Sequence, residues 1–186
     1  SEAAVLHFID TASGRPIGAP IDRAELGGVA FAPDGGSVVF NRLQALPRGA
    51  DANDKYLDSA VWQLTLGDPV SRAVKVFGRG VPGAELKGAE TPAVSFTADG
   101  RWALATVVNG TDNEVSIFVA SAAEVHAGSP HWTRLFDASA GVTGTAYADN
   151  TLYLRSHHGA SRGQVLALDL RRPDLASAAA VVPAGE

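Results

Sequence analysis

The chain has no cysteine and no methionine among its 186 residues. Without cysteine there is no disulfide framework, no thiolate-held zinc or iron–sulfur centre and no thiol nucleophile. Compartment does not follow from that absence, because exported and cytoplasmic proteins alike can lack the residue. Without methionine there is no initiator, so the expectation is a processed or excised piece. No apolar run approaches the ~20 residues that cross a bilayer as a helix. Ser1-Glu2-Ala3-Ala4 is not a basic segment leading into an apolar one, so no signal peptide is visible. The expectation is a soluble chain, cytoplasmic or periplasmic, with no membrane partner. Positive charge is scarce: 15 Lys and Arg stand against 20 Asp and Glu, a formal net charge of −5. A basic surface that tracks phosphates is therefore missing, and nucleic acid is not an expected partner. No glycine-rich loop leads from a strand into a helix, which leaves nucleotide binding without support.

What is present is a chain of short apolar runs. Hydrophobic residues make up 46% and charged residues 19%, enough for a core and too apolar for wholesale disorder. The 20 glycines and 10 prolines are scattered between the runs instead of forming one linker. That is how many short strands read. Val5–Ile9 and a weaker run near Ile17–Ile21 come first. Val29–Phe31 then meets Pro33-Asp34-Gly35-Gly36, and Ser37–Asn41 returns. Proline presets a turn torsion and glycine accepts positive φ, so this is a hairpin. Ala60–Leu66 and Val74–Phe77 follow.

The same order restarts twice. Ala93–Phe96, a turn at Asp99-Gly100, Trp102–Val108, Val115–Val119 and Trp132–Phe136 form one cycle. Thr145–Tyr147, a turn at Asp149-Asn150, Thr151–Ser156, Gln164–Leu170 and Ala180–Val182 form the next. The turn aspartates Asp34, Asp99 and Asp149 are separated by 65 and 50 residues, and each interval holds four strands. A four-stranded unit repeating at this length is the mark of a propeller blade. The expected fold is all-β: a partial β-propeller of about three and a half four-stranded antiparallel blades in one domain, 1–186. Residues 1–26 end one blade, and 27–80, 90–138 and 142–183 are blades. Ala123–His126 and Ala176–Ala180 could be single helical turns. A β-sandwich built from the same strands is the competing architecture.

Several segments carry possible chemistry. Gly159-Ala160-Ser161-Arg162-Gly163 fits G-x-S-x-G, in which a strained strand-to-helix turn lifts a serine hydroxyl into a hydrolase site. Here Leu166, Leu168 and Leu170 alternate downstream, so a strand follows and the match reads as a hairpin loop. His157 and His158 are too close in sequence to aim readily at Ser161. His7, His126 and His131 lack metal-ligand spacing. Asp51-Ala52-Asn53-Asp54 opens like a calcium loop, but Lys55 at the fifth position breaks the pattern. Gln44–Tyr56 is still the longest polar insertion within a blade, and it is the candidate for touching a neighbouring domain or substrate. Asn109-Gly110-Thr111 is a glycosylation sequon and also a standard hairpin turn pair. Trp62, Trp102 and Trp132 read as strand residues that pack blades, not as a stacking platform for bases. No catalytic, binding or metal residue is assigned, and no cofactor is expected.

Taken in order, several segments resemble propeller strands of the prolyl oligopeptidase family of serine peptidases. They are Phe31-Ala32-Pro33-Asp34-Gly35 with Val39-Phe40-Asn41, then Val61–Gly67, Val76-Phe77-Gly78 and Phe96–Trp102. Leu152–Arg155 and Val165–Leu170 with Val181-Val182-Pro183 complete the set. The resemblance runs along nearly the whole chain. It implies roughly half of a seven-bladed propeller that caps an α/β-hydrolase domain, limits entry to short peptides and leaves post-proline cleavage to that other domain. The strand Asn113–Val119 lacks an Arg that such a comparison leads one to expect, so post-proline specificity does not carry over. The implied role is a non-catalytic segment that gates short peptides and docks the hydrolase domain. Alternatives are a free-standing peptide- or protein-binding module and a small esterase using Ser161. A half-ring leaves both terminal faces open, so either self-association through those faces or low stability is expected.

Overall fold

The computed structural model describes residues 4–26 and 28–185. The signal-peptide reading of Ser1–Ala3 falls outside the described residues, as do Gly27 and Glu186. Fourteen strands follow one another: β1 (Leu6–Ile9), β2 (Pro16–Ile21), β3 (Val29–Phe31), β4 (Ser37–Arg42), β5 (Ala60–Thr65), β6 (Val74–Phe77), β7 (Glu90–Phe96), β8 (Trp102–Asn109), β9 (Val115–Ser121), β10 (Thr133–Phe136), β11 (Val142–Ala148), β12 (Thr151–Ser156), β13 (Gln164–Asp169) and β14 (Ala179–Val182). One short helix, α1 (Ala122–His126), lies between β9 and β10. The strands form one two-stranded sheet, β1-β2, and three antiparallel meanders: β3 to β6, β7 to β10 and β11 to β14.

Alternation along each central strand explains the packing. Val38 and Phe40 of β4 point one way and join Ile21, Leu64, Leu6 and Phe8. Val39 points the other way and joins a cluster with Val94, Ala105 and Phe118 of the next sheet and with Trp132. In β8, Ala103, Ala105 and Val107 face back toward that cluster, while Leu104 faces forward to Leu152, Leu154 and Leu168. Each internal sheet is thus buried on both faces, so its strands read as continuous apolar runs. Full burial of one such side chain, Leu154, contributes roughly 2 kcal/mol. The sheets follow one another in chain order, each packed on the next. This is a partial β-propeller, not the two facing layers of a sandwich. The first strands β3 and β7 lie side by side, and Gly28 permits the approach. A Cβ there would sit 3.1 Å from that of Ala93.

The structure corrects three details and refines a fourth. Trp132 precedes β10 and is not in a strand. The turn expected over Ala176–Ala180 is a 3-10 segment at Leu175–Ser177, because Ala179 already pairs with Ala167. Asn109-Gly110 does not close a two-residue turn. Val108 pairs with Val115, so the loop spans 109–114. Finally, the three turn aspartates act differently. Asp34 and Asp99 accept the backbone N–H groups of Gly36 and Arg101 at 2.9 and 3.1 Å. Asp149 instead takes φ 53 in the two-residue turn between Ala148 and Thr151.

Candidate functional site

Antiparallel meanders sort every connection onto one of two rims. The turns at 32–36, 97–101 and 149–150 lie on one rim, with the third-to-fourth strand loops 66–73, 122–132 and 170–178. The second-to-third strand loops 43–59, 110–114 and 157–163 lie on the other, with the sheet-to-sheet linker residues 22–26, 78–89 and 137–141. On the first rim the turns 32–36, 97–101 and 149–150 are short, while the connection 122–132 is longer and carries α1. Adjacent ones touch: the Trp102 indole N–H donates to the Asn150 side-chain oxygen at 3.4 Å, and His126 Nδ1 lies 3.7 Å from an Asp34 carboxylate oxygen.

The second rim carries the long insertion. Loop 43–59 begins at buried Leu43, whose N–H donates to Arg23 O at 2.9 Å, and ends where Asp58 N–H donates to Gly88 O at 2.8 Å. Three ion pairs brace its feet: Arg42 with Asp22, Lys55 with Glu25 at 2.9 Å and Arg79 with Asp58 at 2.9 Å. Arg23 and Asp58 both take the left-handed backbone conformation, with φ 58 and 52, which costs a non-glycine residue energy and marks a constrained junction. The bond from Arg42 holds the Asp22 carboxyl below the usual carboxylate range. Hydrogen bonds to Glu25 and Tyr56 push the Lys55 ammonium upward. Inside the loop Asp51 caps a 3-10 turn, Ala52–Tyr56, by accepting Asn53 N–H at 2.8 Å. The calcium-like spacing of Asp51 and Asn53 is therefore a capping arrangement. The loop was identifiable as an insertion, but its braces were not. They come from linkers whose charges stand out only once the sheets are stacked.

The G-x-S-x-G segment lies in loop 157–163 of this rim. Ser156 pairs with Gln164, so the segment closes a hairpin and leads into strand β13. Ser161 is exposed. His157 Nε2 is engaged 2.8 Å from Glu114 Oε1, an interaction that lowers the Glu114 carboxyl. His158 N–H donates to the Ser156 hydroxyl, which itself donates to Ala140 O at 2.7 Å. Two grooves open beside these loops. One of about 480 Å³ is lined by Phe136, Ala140, Leu166 and Leu175 with His158 and Arg134. The other, of about 290 Å³, is lined by Glu85, Lys87, Glu90 and Arg134 among others. Among the described residues no group of three His, Asp or Glu side chains could hold a metal ion. None of the described helices is long and apolar enough to cross a membrane.

Stacked four-stranded meanders with two unlike rims define a segment of a β-propeller. The chain belongs to the prolyl oligopeptidase family, whose N-terminal beta-propeller domain matches residues 1–186. It is similar to a structure from work on two prolyl endopeptidases and the role of inter-domain dynamics in catalysis and specificity, with TM-score 0.80 and 20% identity. That match covers 100% of this chain and 26% of the other. Prolyl oligopeptidase B from Galerina marginata, bound to a 35mer hydrolysis and macrocyclization substrate, matches with TM-score 0.75 and 12% identity over 99% of this chain and 26% of its own. The apo form of that protein gives TM-score 0.74 at 12% identity, again over 26% of its length. The chain thus spans about a quarter of the structures it resembles. No curated relative matches it.

Proposed function

We propose that this segment is the non-catalytic wall of a prolyl-oligopeptidase-like serine peptidase. Its second rim docks the parent chain's α/β-hydrolase domain and restricts entry to short peptides. Blades 27–80, 90–138 and 142–183, with the end of a further blade in 1–26, supply the wall. The observation that carries the reading is the asymmetry of the rims. The first rim's longest connection, 122–132, is folded around the helix α1. The other bears a long loop braced at both feet by ion pairs and left-handed residues. A braced loop is what a gate needs, since it can swing as a unit without loosening the sheets beneath it.

The test is made in the full-length protein. Arg42→Ala combined with Lys55→Ala releases both feet of loop 43–59. Hydrolysis of a small chromogenic peptide is expected to stay close to the parent rate, while cleavage of a long peptide rises. If the ratio of long- to short-peptide cleavage stays unchanged although exchange in the loop has increased, the gating reading fails.

A further inference from the structure

We propose that Asn109-Gly110 is a self-modifying site, where the folded chain converts an amide into a carboxylate and so recharges one hairpin of the second rim. The peptidase reading rests on loop 43–59, and this loop is a different connection of the same rim. The chain has five asparagines, Asn41, Asn53, Asn109, Asn113 and Asn150, and only Asn109 precedes glycine. A following glycine has no side chain to shield its backbone nitrogen from the neighbouring carboxamide carbon. The site is open to solvent. Asn109, Gly110, Thr111 and Asp112 are all exposed. Gly110 has φ 56, and a Cβ added to it would meet nothing within 4 Å, so no other residue crowds it. Asn109 ends β8 opposite Glu90, its Nδ2 donates to Asp112 Oδ2 at 2.9 Å, and Asp112 N–H donates to Asn109 O at 3.0 Å, so ring closure proceeds when this exposed end of the hairpin opens. By contrast Asn41 is 2% exposed, with its amide donating to Pro92 O at 2.8 Å. Asn113 is the internal control. It is exposed in the same loop but is followed by Glu114.

The step balances without an added reagent other than water. The Gly110 backbone nitrogen attacks the Asn109 side-chain carbonyl carbon, and a C–N bond closes a cyclic imide. The proton lost from Gly110 passes through solvent to the departing nitrogen, which leaves as ammonia. Water then opens the imide at either carbonyl. One opening gives aspartate, and the other gives isoaspartate, with the main chain rerouted through the former side chain. No electrons change hands.

The product has consequences for the hairpin. A carboxylate at position 109 faces Asp112 Oδ2, where an amide now donates. Glu90 stands directly opposite position 109 on β7. Like charges opposed across a ladder are destabilising, so conversion loosens the loop and the adjoining end of the β7–β8 pair. The change is one-way and adds a negative charge to a chain already at −5.

The test is peptide mapping of the intact protein after incubation in mildly alkaline buffer, with fragmentation that separates aspartate from isoaspartate. Both products are expected at position 109 while Asn113 keeps its amide, and Asn109→Gln abolishes them. The proposal is overturned if Asn109 stays an amide, if Asn113 converts as fast, if aspartate forms without isoaspartate, or if a glycan occupies the Asn109 sequon. In a second measurement, Asn109→Asp is expected to speed amide exchange across residues 109–114 several-fold and leave β12 unchanged. Native exchange in that variant would overturn the loosening.

Discussion

Trp132 shows how one residue can join two blades. Its indole N–H donates to the Val76 carbonyl at 2.7 Å, and its ring stands edge-on to Phe77 with centroids 5.0 Å apart. Trp132→Phe keeps most of the ring contact but leaves that carbonyl unpaired, so a loss of about 1–3 kcal/mol is expected in denaturant unfolding. Trp132→Ala removes the packing as well and is expected to cost about 3–5 kcal/mol. The same neighbourhood makes Gly83 irreplaceable: it has φ 73, and a Cβ would lie 1.8 Å from Trp132 O. Gly83→Ala is therefore expected to abolish native unfolding cooperativity. Exposed charge behaves differently. Hydrogen bonds donated first by the Arg171 guanidinium and then by the Arg171 backbone N–H hold the Asp169 carboxyl at about 2, below its ordinary 3.8. A depressed carboxyl stabilises the fold above its unfolded pKa, and the contribution disappears as pH falls from about 3.8 through about 2. Carboxyl titration by NMR is expected to show this midpoint in the native chain and a return toward the ordinary range in Arg171→Ala.

At the scale of elements, the strands were legible and the braces were not. Alternation and turn chemistry are local signals, so the central strand runs Ser37–Asn41, Thr151–Ser156 and Gln164–Leu170 read correctly to within a residue or two. Loop 43–59 was legible as an insertion, because its polar run interrupts two apolar strands. Its structure was hidden for a physical reason. Asp22, Glu25 and Arg79, which hold its feet, belong to linkers that approach it only after the sheets stack. Trp132 was misplaced into β10 for a similar reason, since its aromatic ring suits a strand locally but is claimed by Val76 of the preceding blade. Arg42–Asp22 and Arg79–Asp58 each keep one partner in solvent, so each of these pairs contributes only about 0–1 kcal/mol, while Lys55–Glu25 is more enclosed. Releasing them is expected to leave the global unfolding midpoint nearly unchanged while raising amide exchange within 43–59. Acid should do the same. Asp22 is held below its ordinary range mainly by Arg42, so its contribution persists above the unfolded carboxylate pKa and is lost as pH falls through the folded value. Exchange measured down an acid series should show loop 43–59 opening before β12 and β13. Simultaneous opening would mean that the loop is held by something other than these pairs.

For the whole molecule, the decisive feature is what happens at the two ends of the stack. Leu152, Leu154 and Leu168 bury one face of the last sheet completely. The opposite face, with Tyr153 paired to Ala167 and Arg155 to Val165, has no sheet packed against it among the described residues. At the other end Ile9 of the two-stranded sheet is 60% exposed, and Phe31 of the next sheet is 57% exposed, with its ring edge-on to Phe8 at 6.1 Å between centroids. Internal sheets show what these faces are built for, since each internal face is buried and mostly apolar. Open sheet faces and unpaired edges invite association. In isolation this 186-residue chain is therefore expected to sediment as a concentration-dependent oligomer. Tyr153→Lys together with Val165→Lys, placed on the open face and away from every buried cluster, should shift it toward monomer with its circular dichroism intact. A longer chain carrying the next blade should make the same amides exchange more slowly and should remove the concentration dependence altogether. A sharp, heat-resistant monomer from the short chain would instead show that three and a half blades suffice as a closed unit.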